Sequence, residues 1–392
     1  MYKNKLQLTI LSMLLIILFI SCGNPAGSGE ILPGEELFTI QVGVLEDEID
    51  LFHRGYSLPN RKNRVFMYQG LIFVANSLGG KIMEFSSYGD LISLKYNDQL
   101  NPRPVLLSQR QDESKIVNKI AVAFPFLDIG EIGVTSDHIL LVEDHVPPER
   151  RLVDQDSGAV LQHVIHRFGA DGEHLDYIGQ EGVGGTPFPY VFSMEITANN
   201  ELVVTTRNGS SFEIFWYNPD GDIRFSVRID EAHLPAGEDP SMIPSLAAIY
   251  PDMNRPRLYL HLNFLSDNNA VDSRVYTLEL PSGMYSSFFE LPPNVQPLPG
   301  PHGMENIQYL YDLIGSAGDG YLFFLSRNNV LEQSLLIMDN QGNLLARRLI
   351  RLDDPELMIT DFQVSREGII TGLLGNPDGV DIYWWRTDEL IP

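Results

Sequence analysis

One unit recurs along this chain: an apolar strand, a tight turn containing glycine, and a second strand running back. The turns are Tyr88-Gly89-Asp90, Ala170-Asp171-Gly172-Glu173, Asn218-Pro219-Asp220-Gly221, Pro281-Ser282-Gly283 and Asn340-Gln341-Gly342-Asn343. Proline presets φ at the first corner and glycine accepts positive φ after it, so such sequences close short hairpins. The segments before the turns alternate, as in Lys81-Ile82-Met83-Glu84-Phe85, Phe212-Glu213-Ile214-Phe215-Trp216, Arg274-Val275-Tyr276-Thr277-Leu278 and Ser334-Leu335-Leu336-Ile337-Met338. Period two with one apolar face describes a half-buried antiparallel strand. No stretch carries a long 3.6-residue apolar period, so helical architectures are excluded.

Upstream of each hairpin lies a further pair of strands, at 65–68 and 71–75, 129–134 and 138–143, 191–197 and 201–205, 245–250 and 257–264, and 309–314 and 321–325. A sixth pair, 358–364 and 369–374, is followed by one strand at 380–386. Four strands per unit and six units predict an all-β, six-bladed β-propeller with antiparallel blades. The strand lacking in the last unit is supplied by Leu37 to Gly43, which closes the ring and removes open sheet edges. Seven blades are the alternative, if 96–128 holds degenerate strands.

Residues 65–92 and 179–223 resemble NHL-type propeller repeats, through "GLIFVANSLGGKIMEFSSYGDLI" from Gly70 and "GGTPFPYVFSMEITANNELVVTTRNGSSFEIFWYNPDGDI" from Gly184. Asn76 and Thr205 stand where the family's second strand usually ends in Asp. The resemblance implies the fold and carries almost nothing about function, since such propellers serve many roles.

The N-terminus sets the compartment. Lys3 and Lys5 precede an apolar run from Leu8 to Ile20, which ends at Phe19-Ile20-Ser21-Cys22. This is a signal-peptide layout, with an apolar part too short for a good spanning helix. Cys22 is the chain's only cysteine, so neither an intramolecular disulfide nor a paired-thiolate metal site can form. The segment resembles a bacterial lipobox, with Phe19 where Leu is commonest, and is similar to the loosened lipoboxes of spirochaetal propeller lipoproteins. That resemblance implies lipidation of Cys22 by a thioether-linked diacylglycerol and an N-acyl group such as palmitate. Several acyl chains make anchoring stable. The expected organisation is a signal peptide at 1–21, a Gly-, Pro-, Ser- and Glu-rich tether at 22–36 and one propeller domain at 37–392. The protein is expected on a membrane, facing the periplasm or the cell surface.

Acidic residues outnumber basic ones by 52 to 27, a formal charge of −25. Such a surface repels phosphate backbones, so nucleic-acid binding is not expected. The cluster Glu46, Asp47, Glu48 and Asp50 reads as a solvated loop, because it lacks the glycine-turned spacing of a calcium hand.

In a propeller, the loops between blades and those between second and third strands open on one face. The long connections 96–128, 231–244, 291–308, 146–159 and 266–272 all fall there, so the working surface is expected on that face. No catalytic constellation stands out. His163 and His166 lie three apart on a strand and point to opposite faces, so they cannot easily share a metal. His302, in the Pro-rich connection 291–303, is the most site-like histidine. Trp384 and Trp385 are adjacent and take opposite faces. Pro147-Pro148-Glu149-Arg150 reads as a stiff loop.

Glu131, Glu195, Asp312 and Asp361 lie in or near inner strands, where a one-residue register change would reverse their direction. The expected function is a non-catalytic, membrane-tethered binding or scaffolding module. It should be a monomer without a cofactor, with a protein or envelope partner on the long-loop face. The alternative is a calcium-dependent propeller hydrolase or lyase, with carboxylates converging on the channel.

Overall fold

The computed structural model describes residues 29–52, 62–107, 120–237, 239, 241–266, 269–300, 303–329 and 331–392. Cys22 and His302 lie outside them. The described chain forms six blades. Blade I holds Asn63–Tyr68, Leu71–Asn76, Lys81–Ser86 and Leu91–Tyr96. Blade II holds Ile132–Val134, Leu140–His145, His163–Phe168 and His174–Gly179, with a short fifth strand, Gly182–Val183. Blade III runs through Tyr190–Ile196, Leu202–Asn208, Ser211–Tyr217 and Ile223–Asp230. Blade IV runs through Ile243–Pro251, Arg257–Ser266, Asn269–Glu279 and Met284–Glu290. Blade V comprises Asp312–Ala317, Tyr321–Arg327, Glu332–Met338 and Leu344–Arg351. Blade VI comprises Ile359–Val364, Ile370–Gly375 and Gly379–Trp385, completed by Glu35–Gln41.

The closing strand therefore starts two residues before the Leu37 read from the sequence. It pairs antiparallel from Glu35 opposite Trp384 to Gln41 opposite Gly379. Each blade's innermost strand touches those of both neighbours, which closes the ring. The five glycine turns all join third to fourth strands. In the Asn-Pro-Asp-Gly turn, Gly221 takes φ +93°, a conformation that costs glycine nothing.

The core consists of six apolar clusters, one between each pair of neighbouring blades. In blade V, Leu322 and Phe324 pack towards blade IV while Phe323 and Leu325 pack towards blade VI. Second and third strands are thus buried on both faces, not on one as alternation suggested. A sheet between two sheets must be apolar on both sides.

The long connections differ from their sequence reading. No seventh blade lies within the described part of 96–128: Ile120–Ala123 adds to the outer edge of blade I, parallel to Leu91–Tyr96. The segment 266–272 is not a long loop, because the second and third strands of blade IV stay paired out to Ser266 and Asn269. Segment 291–308 forms a separate hairpin, Asn294–Gly300 with Gly303–Tyr309. Another small hairpin, Leu152–Val153 with Val160–Leu161, sits between second and third strands of blade II. Pro148–Arg150 is a short 3-10 turn, and Arg150 Nη2 donates to Tyr177 Oη at 2.7 Å.

Within the expected tether, Ile31 bridges in parallel to Leu349, and Leu32 N donates to Leu349 O at 2.8 Å. The pairing is parallel and lies near the C-terminal end of blade V's outer strand. Trp385 is buried between blades V and VI, while Trp384 packs on the other side and donates Nε1–H to Glu35 at 2.8 Å.

Candidate functional site

The inner strands of blades I, II, III and VI carry charge in otherwise apolar surroundings, and that charge meets at the axis. The channel narrows to about 180 Å³ among Arg64, Glu131, Glu195, Tyr250 and Asp361. Towards the long-loop face it widens into a cavity of about 660 Å³. Lys62, Asn63, Asp128, Glu143, His145, Gln162, His163, Tyr190 and Thr360 border this mouth. These positions begin inner and third strands, end a second strand or belong to the connections beside them. The elaborated face is therefore also the open face.

Two cations from the start of blade I organise the axis. Lys62 Nζ lies 2.9 Å from Glu131, 3.1 Å from Glu143 and 3.0 Å from Val191 O. Its three protons thus meet three oxygens. Arg64 forms two bonds to Glu131, at 2.8 and 3.0 Å, and reaches Asp361 at 3.2 Å. Asp361 also accepts from Val65 N at 2.8 Å, and Glu143 from Glu131 N at 2.7 Å.

Burial opposes the charge of Lys62 and Arg64, yet the facing carboxylates more than offset it and shift both upward. Burial also opposes ionisation of Glu131 and Glu143. Lys62 and Arg64 hold Glu131 below the usual range, and Lys62, with the His163 hydrogen bond, brings Glu143 to about 2. Asp361 is different: burial lifts it to about 6 in spite of Arg64. Glu195 has no cation among its partners, and burial with the nearby Glu131 raises it to about 8.

The mouth carries a second arrangement. His163 Nδ1 lies 2.8 Å from Glu143 Oε1, and the His145 ring meets His163 edge-on at 4.3 Å. Burial and the neighbouring His163 push His145 down to about 4, so it is neutral at physiological pH. The Lys62 ammonium lies 5.1 Å from the centre of the Tyr190 ring.

Of the residues singled out from sequence, Glu131, Glu195 and Asp361 line the channel, whereas Asp312 is exposed and does not border it. His163 and His166 separate as expected: His166 Nδ1 meets His174 Nε2 at 3.0 Å, against Phe124. The acidic loop is a structural cap, since Glu46 accepts from the backbone N–H of Val105, Leu106 and Leu107. Asn76 is buried and bonds Asn63 Oδ1 at 2.9 Å and Asp50 O at 2.7 Å. Sequence reading missed Lys62, Arg64, Glu143, His145, Gln162 and Tyr190. The available signal was Lys62 and Arg64, basic residues at the head of an inner strand, opposite acidic residues on three other inner strands. Among the described residues, no group of three His, Cys, Asp or Glu could hold a metal ion.

No protein-family model matches the chain, NHL repeats included, and no curated protein matches it. Solved structures similar to it include a protein of unknown function from Dyadobacter fermentans, 11% identical at TM-score 0.40, covering 90% of this chain and 98% of that one. Another is a calcium-binding regucalcin from Agrobacterium tumefaciens, 11% identical at TM-score 0.42, covering 92% and 95%. A third is the β-propeller domain of the Trilobed protease from Pyrococcus furiosus, 8% identical at TM-score 0.35, covering 66% and 81%. The propeller assignment rests on this chain's own sheet order.

Proposed function

We propose that the protein is a lipid-anchored, extracytoplasmic binding module that takes its ligand or partner at the channel mouth. The observation that carries this reading is the pairing of the axial charges. Lys62 and Arg64 engage Glu131, Glu143 and Asp361, leaving an open polar cavity above a closed ionic floor. A floor of this kind is rigid and orients the side chains around the rim, which is what recognition needs.

The test is photo-crosslinking in intact cells with benzoylphenylalanine at position 190 on the mouth or at position 88 on the tight-turn face. Tyr88 is 88% exposed, so access does not favour the mouth. The expected result is discrete adducts from position 190 and none from position 88. Equal labelling from both faces would overturn the assignment of the working surface.

A hydrolase or lyase is the second reading, favoured by the Glu143–His163 pair beside the cavity. A carboxylate that orients an imidazole is the arrangement of a general base. That reading requires a turnover that His163→Gln removes while the fold persists.

A further inference from the structure

We infer that a side pocket of the mouth takes the carboxylate of a small ligand with a short apolar chain, held by Arg327 and Gln333. This rests on the mouth being the binding site and adds the class of ligand.

The pocket follows from strand register. Arg327 ends the second strand of blade V, and Gln333 stands directly opposite it on the third. Side chains two apart on a strand share a face. Arg327 and Gln333 therefore continue the row of Leu325 and Leu335, which packs towards blade VI. With Leu352, Leu357, Met358 and Thr360 they border a cavity of about 170 Å³. Met358 and Thr360 also border the 660 Å³ mouth, so the smaller cavity is its annex on the blade V side.

Two observations assign the chemistry. First, Gln333 is only 4% exposed, yet its amide makes no hydrogen bond to the described residues. Buried polar groups are nearly always paired, and here a ligand in the annex can supply the partner. Second, Arg327 is exposed at the same cavity and forms no ion pair or hydrogen bond with the described residues. Asp312 is close enough to sense its charge, but the two make no ion pair. Arg351 on the same blade differs, because Glu332 engages it at 3.3 Å.

A guanidinium only donates, and its planar fork matches the two oxygens of a carboxylate. The Gln333 NH₂ can donate to the same group. Leu352, Leu357 and Met358 offer apolar walls, so the part of the ligand beside the carboxylate is apolar. The chain's charge of −25 opposes anions at long range, which favours one negative charge over two.

The experiment uses the full mature protein in phosphatidylcholine nanodiscs and three probes of equal length: pentanoate, pentanamide and pentylamine. Calorimetric titration and melting are read for the wild type, Arg327→Met, Arg327→Lys and Gln333→Glu. The expected result is saturable binding of pentanoate alone, raising the melting temperature. Arg327→Met should lose at least about tenfold in affinity, roughly what one hydrogen bond to a charged group contributes. Arg327→Lys, which keeps the charge without the fork, should retain part of it. Gln333→Glu, close in shape but anionic, should abolish binding. Arg327 is exposed and unpaired, so its variants should melt with the wild type in the absence of ligand.

Pentanamide binding equal to that of pentanoate would remove the role of charge and overturn the proposal. Preferential binding of pentylamine would overturn it by reversing the sign. Unchanged pentanoate affinity in a folded Arg327→Met, or no binding of any probe, would overturn it as well. Crosslinking from position 190 does not depend on these probes, so it still decides the location of the working face.

Discussion

Lys62 is held from three sides. Two carboxylates and a carbonyl surround its ammonium at 2.9 to 3.1 Å, an oxygen cage filled by the chain's own cation. Removing one partner of a buried pair costs about 3–5 kcal/mol, because the other charge stays buried and unpaired. Lys62→Met should therefore lower the melting temperature sharply, and added calcium should restore part of the loss, since binding to the native state stabilises by mass action. The wild type should ignore both EDTA and calcium. A chelator-sensitive wild-type melt would mean that the Lys62 cage is not what neutralises the axis.

Glu195 gives a pH dependence of definite sign. Its folded pKa is raised to about 8 from an ordinary 4.5, so its stabilising effect is complete below 4.5 and is lost as pH rises to about 8. Glu195→Gln should melt with the wild type near pH 4.5 and several degrees above it at pH 8.5. Equal melts at both pH values would place the Glu195 carboxyl in water. At this scale the sequence was least informative. Which way Glu131, Glu195 and Asp361 point depends on register, and Lys62, the cation that meets Glu143, lies on another blade far along the chain.

Elements were far more legible, because turn chemistry is local. All five glycine turns fall where Gly, Asn, Asp and Pro placed them, and the inner strands begin within about four residues of their expected starts, within the usual uncertainty of element boundaries. What local pattern could not show is pairing that depends on the rest of the molecule. Examples are the parallel strand Ile120–Ala123 and the pairing of blade IV out to Ser266 and Asn269. Ring closure makes the clearest prediction. Deleting Glu35–Gln41 should expose the outer side of Gly379–Trp385 and lower the melting temperature by about 10 °C or more. Deleting residues 23–28 should leave the melt unchanged. Leu32 packs with the cluster between blades V and VI, so a cut reaching beyond Gly29 is no longer neutral. Equal melts for the two deletions would refute closure by this strand.

On the scale of the molecule, six clusters between blades replace a single central core, so the axis is free to be polar. The repeat count revealed that architecture from the sequence; the ionic floor beneath the mouth became visible only with the fold. The anchor is tested separately: Cys22→Ala should abolish metabolic acyl labelling, since the chain has no other thiol. Persistent labelling would exclude Cys22 as the sole attachment point.

If acyl chains are attached at Cys22, the parallel run of Glu30 to Leu32 along blade V has a further consequence. Seven peptide steps lead from Cys22 to Gly29, a leash of at most about 25 Å. It meets the propeller at the outer strand of blade V, where Ile31 bridges to Leu349. A membrane joined by so short a leash stays close to the outer edge of blade V.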